Sequence, residues 1–288
     1  MQLNEPPFLE CASRQILPGR CAIVGVPLDL TATFRSGCSE APPAMRVASD
    51  SIESYSPFLD LDLADIPFSD IGDLSLSGVA LDAALAAIRD TIGMVLERGA
   101  LPFCLGGEHT LTLPIVQAFK EVYPDLVVVH GDAHSDMRDD YEGNRVNHAT
   151  VIRRVLEVVG SDGLVQLGVH SGTREEFISM RRADSLLQWG PGMEQSLLEK
   201  SDDRPVYLTL DVDVMDPACL PGTGNPEPGG WFYPDFERLL TALDRMNLVG
   251  ADLVELNPRL DASGVSAITA AKMVRELLLV MGKKRRYR

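Results

Sequence analysis

The chain has 288 residues, 45% of them hydrophobic and 24% charged, proportions that suit a folded globular protein and exclude a disordered one. A formal charge of −16 argues against nucleic acid as a partner and favours either plain solubility or attraction of cationic small molecules. No apolar run reaches the roughly 18 residues of a membrane helix, and the opening MQLNEPPFLECASRQ lacks the basic flank and apolar core of a signal peptide, so a cytoplasmic protein with no membrane contact is expected.

In chain order, the first continuous apolar run covers 21–26. The stretch 49–77, with several Pro and Asp residues, reads as loops and short pieces. A helical pattern at 81–96 then leads to an apolar run at 101–105, a helix at 113–122, a run at 126–130 and a helix at 149–159. Further runs follow at 164–169 and 206–210, then a helix at 234–246, a run at 249–256 and a helix at 266–281. The runs lack period-two alternation, as strands buried on both faces of a parallel sheet do. Their alternation with helices predicts an α/β fold of three layers, α/β/α, around a mainly parallel central sheet. No linker, repeat or low-complexity tract divides the chain, so a single domain over 1–288 is expected. The cysteines at 11, 21, 38, 104 and 219 are widely spaced and read as reduced thiols. The basic end, 283–288, reads as a solvated terminus.

The chemistry gathers where apolar runs stop. After 126–130 comes Gly131-Asp132-Ala133-His134-Ser135-Asp136, with three potential metal ligands at alternate positions. Alternate side chains of an extended segment point the same way, so the three groups converge. The run 206–210 likewise ends in Asp211 and Asp213, and the run 101–105 leads through Gly106 and Gly107 to Glu108 and His109. All three segments would meet at the carboxyl edge of the sheet, where open α/β sheets bind ligands. Asp132, Asp136, Asp211 and Asp213 bring four negative charges that two divalent ions would balance. Without cations they would repel one another and raise one another's pKa values. Oxygen ligands with two imidazoles and no thiolate suit Mn²⁺ better than a structural zinc.

These motifs, together with Gly-Val-Pro-Leu-Asp at 25–29, Arg35, Gly37, LDVDVMDPACLPGTGNPEPGG at 210–230 and DLVELNP at 252–258, resemble the ureohydrolase family. That family includes arginase, agmatinase, guanidinobutyrase and formimidoylglutamase, and the resemblance spans nearly the whole chain. It implies the arginase-like fold and two Mn²⁺ per chain. His109 and Asp136 would ligate one ion, His134 and Asp213 the other, and Asp132 and Asp211 would bridge them. It also implies that water activated by the metal pair attacks a guanidinium carbon and releases urea and an amine. Glu255 is similar in position to the family's guanidinium-binding glutamate, and His148 to its proton-shuttling histidine. Family members are commonly trimers or hexamers, so a homo-oligomer is expected.

The loop 137–147, with Tyr-Glu-Gly-Asn before His148, resembles agmatinase loops. The substrate it implies is a small cationic guanidino compound, agmatine first, converted to putrescine and urea. Aminopropylagmatine, guanidinobutyrate and arginine are the alternatives. Three acidic groups in the loop suit a cationic tail, partly offset by Arg138 and Arg145. His130 and His170 read as supporting or packing groups, Glu108 as an orienting group, and Cys219 has no base to make it a nucleophile. The chain departs from the commoner family pattern at Glu108, Asn225 and His170, which bears on substrate more than on reaction. Two other classes remain: a one-zinc deacetylase of related fold, disfavoured by the retention of His109, Asp136 and Asp213, and a catalytically silent binding protein, disfavoured by the retention of Glu255 and His148.

Overall fold

The computed structural model describes residues 6–11 and 13–283, and the basic tail beyond 283 lies outside the described residues. The chain enters the sheet as β1 (Cys21–Val26), passes through α1 (Ala41–Ser49) and a small hairpin of β2 (Tyr55–Ser56) and β3 (Leu61–Asp62), and returns as β4 (Phe68–Asp73). Helix and strand then alternate through α2 (Leu81–Glu97), β5 (Leu101–Gly106), α3 (Thr112–Val122), β6 (Val127–Gly131), α4 (Val151–Val159) and β7 (Leu164–Leu167). Two helices, α5 (Arg174–Arg182) and α6 (Met193–Ser201), precede β8 (Pro205–Asp211). The described chain closes with α7 (Tyr233–Leu243), β9 (Asn247–Val254) and α8 (Val265–Lys283).

The strand order is β4-β1-β5-β9-β8-β6-β7, and every pairing in this sheet is parallel. β1, β5 and β6 are buried along their whole length, which is why their sequences carry no polar alternation. Two apolar cores fill the two faces. One joins Ile23, Phe103, Leu208 and Leu253 to α1, α6, α7 and α8, and the other joins Val24, Cys104, Val128 and Tyr207 to α2, α3, α4 and α5. In α2, the buried Ala84, Ile88, Ile92, Val95 and Leu96 recur at helical spacing and form the stripe that docks on the sheet. Each such fully buried branched side chain contributes roughly 1.5–3 kcal/mol relative to exposure. The result is the expected three-layer α/β/α arrangement.

Several elements escape sequence patterning for physical reasons. β4, with the sequence FSDIGD, carries two acids, yet it pairs with β1 at the sheet edge. Its Asp70 is fully buried because Arg46 of α1 meets it with Nε and Nη2 at 2.7 and 3.0 Å. A planar guanidinium fork thus satisfies a carboxylate that would otherwise be costly to bury. α1 itself starts with Pro42 and Pro43, tolerated only in a first turn where no backbone N–H bond is required. α5 and α6 bury few apolar residues, Met180 in one and Met193 and Leu197 in the other, so their stripes are faint. The helix expected at 149–159 opens as a 3-10 turn over His148–Thr150 capped by Asn147, and becomes α-helical from Val151. Among the described residues no helix is long and apolar enough to cross a membrane.

Candidate metal centre

β5, β9, β8 and β6 are consecutive neighbours, so their carboxyl ends lie side by side. β5 runs into Gly107, where a Cβ would stand 2.0 Å from the Leu28 carbonyl oxygen, and then into Glu108 and His109. β6 delivers Asp132, His134 and Asp136, β8 delivers Asp211 and Asp213, and β9 delivers Glu255. Asp136 and Glu255 both take left-handed backbone angles, with φ of 50° and 65°, strain of the kind that gathers at working sites.

The six expected ligands come together. His109 Nδ1 stands 3.3 Å from Asp132 Oδ2, 3.3 Å from Asp136 Oδ2 and 3.4 Å from Asp211 Oδ2. His134 Nδ1 is 2.9 Å from Asp213 Oδ2 and 3.5 Å from Asp132 Oδ1. Two sets of donor atoms are close enough to share an ion: His109, His130, Asp132 and Asp136, and then Asp132, His134 and Asp213. Asp132 is common to both. Asp211 falls in neither set but faces His109, and its Oδ1 accepts the Asp213 backbone N–H at 2.8 Å.

A cation fits this arrangement. His109 Nδ1 is buried and has no hydrogen-bond partner, a cost that a bound cation would remove. Burial opposes charge on both imidazoles, yet the surrounding carboxylates hold His109 and His134 well above the ordinary histidine range. Burial together with the Asp213 and Asp132 charges drives Asp211 well above the carboxylate range, and burial with Asp132 pushes Asp213 up to about 6. Left to protons alone, the cluster collects them, as crowded buried acids do. Oxygen and imidazole donors without thiolates suit hard or borderline divalent ions.

His130 stands behind this cluster. Its Nε2 lies 2.8 Å from Asp132 Oδ2, and its Nδ1 is 3.3 Å from the Gln166 amide nitrogen. With Gln166 donating to Nδ1, His130 donates from Nε2 and steadies Asp132 instead of offering a lone pair. His170 is exposed and turned onto the Gly168 carbonyl, and Cys219 donates to the Asp216 carbonyl.

Glu255 is 6% exposed, and both its oxygens are anchored: Oε1 accepts the His109 backbone N–H at 2.7 Å and Oε2 accepts the Cys38 thiol at 3.3 Å. Nothing in the sequence reading pointed to Cys38. Glu108 is fully buried and accepts from the Leu30 and Thr31 backbones and from the Thr31 hydroxyl. Thr31 Oγ1 in turn accepts the His148 backbone N–H at 3.2 Å, so Glu108 orients the loop that carries the His148 contact. His148 is half-buried, with Nε2 2.9 Å from Thr33 Oγ1, and burial holds its pKa below the usual histidine value.

A cavity of about 680 Å³ lies over the cluster, with His134, Asp136, Asp211, Asp213, His148 and Glu255 in its wall. One sequence expectation is corrected here. The loop 137–147 lines the cavity with Arg138 and Tyr141, not with its acids, and Asp139 is taken up by Arg145 and Arg154. Besides the cluster's aspartates and Glu255, the acidic groups in this wall are Glu176 and Glu227.

Fold and site together define a parallel α/β protein with a histidine–aspartate cluster at the sheet's carboxyl edge, able to hold metal ions beneath a polar cavity. The chain belongs to the arginase family, whose family model matches residues 19–280. It is 38% identical to the agmatinase of Bacillus anthracis, over 89% of this chain and 90% of that one. It is 35% identical to the guanidinobutyrase of Pseudomonas aeruginosa, over 90% and 86%. The solved structure of proclavaminate amidino hydrolase from Streptomyces clavuligerus superposes with a TM-score of 0.90 at 28% identity, covering 98% of each chain.

Proposed function

We propose that this protein is a dinuclear manganese hydrolase that cleaves the guanidinium group of agmatine to putrescine and urea. The observation that carries the reading is the position of Glu255, a buried carboxylate with both oxygens anchored, in the same cavity wall as the histidine–aspartate cluster. In this reading His109 and Asp136 would hold one ion and His134 and Asp213 the other, with Asp132 and Asp211 available to both. When bound, the ions supply positive charge and a lowered pKa for water.

The chain's own residues do the rest. Glu255 accepts N–H bonds from the planar guanidinium on its remaining lone pairs and sets the carbon over the cluster. The His109 N–H and the Cys38 thiol keep that carboxylate from turning away. His148, neutral at pH 7 because burial lowers its pKa, takes up a proton at its imidazole and passes it to the leaving amine. Glu176 and Glu227 supply negative charge for a distal ammonium. A second reading, guanidinobutyrate, is favoured by Arg35 and Arg138 in the same wall, which suit a carboxylate tail. From the resemblance we read the protein as a homo-oligomer, trimeric or hexameric, while its cytoplasmic location and single domain remain expectations from the sequence pattern.

The test is urea release from agmatine, guanidinobutyrate, aminopropylagmatine and arginine with Mn²⁺ present. Agmatine is expected to give the highest kcat/KM. Preference for guanidinobutyrate would favour the second reading, and no urea from any of the four would refute both.

A further inference from the structure

We infer that Thr209 and Asp252, which line no part of the cavity, fix the proton of His109 on Nε2 and so aim its Nδ1 lone pair at the candidate metal centre. The inference rests on reading that centre as a divalent-cation site.

It follows from counting protons in a fully buried network. Asp252 sits in the middle of β9, paired in register with Thr209 of β8, and both are completely buried. Asp252 Oδ1 is 2.7 Å from Thr209 Oγ1, and its Oδ2 is 2.9 Å from Thr112 Oγ1 and 2.6 Å from the Tyr207 hydroxyl. Three hydroxyls, each with one proton, therefore converge on one carboxylate. The Thr112 and Thr209 oxygens also approach each other to 3.1 Å, but each lies closer to the carboxylate, the stronger acceptor. Once Thr209 has given its only proton to Asp252, its oxygen can only accept. The nearest group to accept from is His109 Nε2, at 2.9 Å. His109 must then carry a proton on Nε2.

The other ring nitrogen supplies a separate observation. Nδ1 is buried, has no hydrogen-bond partner, and faces Asp132, Asp136 and Asp211. The network thus holds one nitrogen from behind and leaves the other for the cation. The register of β8 explains how this is built. Tyr207, Thr209 and Asp211 alternate along one strand and share a face, so the strand that delivers Asp211 to the centre also delivers the two hydroxyls behind it. Thr209 and Asp252 are positioning residues acting through His109.

Partners of this kind change metal affinity by about 10–100-fold. Thr209→Val keeps the shape and removes the hydroxyl. In equilibrium titration of the metal-free full chain with Mn²⁺, it is expected to weaken one ion by about 10-fold or more while the other stays near its wild-type affinity. Thr209→Ser is expected to restore the lost affinity. Wild-type affinity for both ions in Thr209→Val would overturn the inference, as would Thr209→Ser binding as weakly as Thr209→Val. Should Thr209→Val fail to fold, Asp252→Asn makes the same test from the other end of the network, with wild-type affinity again the contradicting result. If the wild-type chain binds no Mn²⁺ at all, the underlying metal reading fails instead, a result distinct from loss in the variant alone.

Discussion

At the scale of single residues, Glu255 is the most informative group. Burial and the nearby Glu108 charge push its carboxyl up to about 8, while the His109 N–H works against the shift. A raised folded pKa means that folding favours the protonated form. In the metal-free protein its contribution to stability is therefore full below the ordinary value of 4.5 and lost as pH rises through about 8. The same ionisation is what a cationic guanidinium requires. Bound cations would lower that value, so the shift belongs to the metal-free protein, and in the Mn²⁺-loaded enzyme Glu255→Gln is expected to lower kcat/KM by about 100-fold. Steady-state assays of both proteins with Mn²⁺ check this, and an unchanged kcat/KM in the variant would refute the assignment. His148→Asn is expected to lower kcat by about 100-fold with KM little changed, measured in the same assay. Among residues, those that end an apolar run in alternating acids and imidazoles were legible, because a strand's two-residue period predicts their convergence. Thr209, Asp252 and Cys38 were not, since nothing local distinguishes a hydroxyl or thiol that packs from one that orients a neighbour. Asp252 did leave a signal, a lone acid inside an apolar strand, which demands a buried partner.

Among elements, the legible ones are those whose burial is written as an apolar run or a helical stripe: β1, β5, β6, β7, β8, β9 and the helices α2, α3, α4, α7 and α8. The missed ones are stabilised by polar contacts that sequence periodicity does not carry. β4 depends on the Arg46–Asp70 pair, and α1 hides behind two prolines. The start of α8 shows the same logic. Burial would raise the Asp261 carboxyl, but hydrogen bonds from the Ser263 and Ser266 hydroxyls and backbones hold it down at about 2. A depressed carboxyl contributes stability above its unfolded value, near 3.8, and loses it as pH falls toward 2. Asp261→Ala is expected to destabilise the protein by about 1–3 kcal/mol at pH 7, with the difference shrinking below pH 4. Thermal melts across that range decide it, and a pH-independent difference would contradict the capping account.

For the whole molecule, the parallel sheet positions everything else: four adjacent strand ends bring groups from His109 to Glu255 together in one cluster, part of which lines the cavity. Buried acids that repel one another make the metal-free fold less stable than its core alone would allow. Mn²⁺ is therefore expected to raise the melting temperature, with each site adding about 2.7 kcal/mol at a hundredfold excess over its dissociation constant. A melting temperature indifferent to Mn²⁺ and to chelator would count against a metal centre.

The central claim, that two ions in this cluster enable guanidine hydrolysis, is tested most directly by adding Mn²⁺ stepwise to metal-depleted protein and measuring urea released from agmatine against ions bound per chain. The account expects little urea from the metal-free protein and activity that saturates as the second ion binds. Full activity without bound metal, or a chain that binds two ions and releases no urea from any guanidino compound, would contradict it.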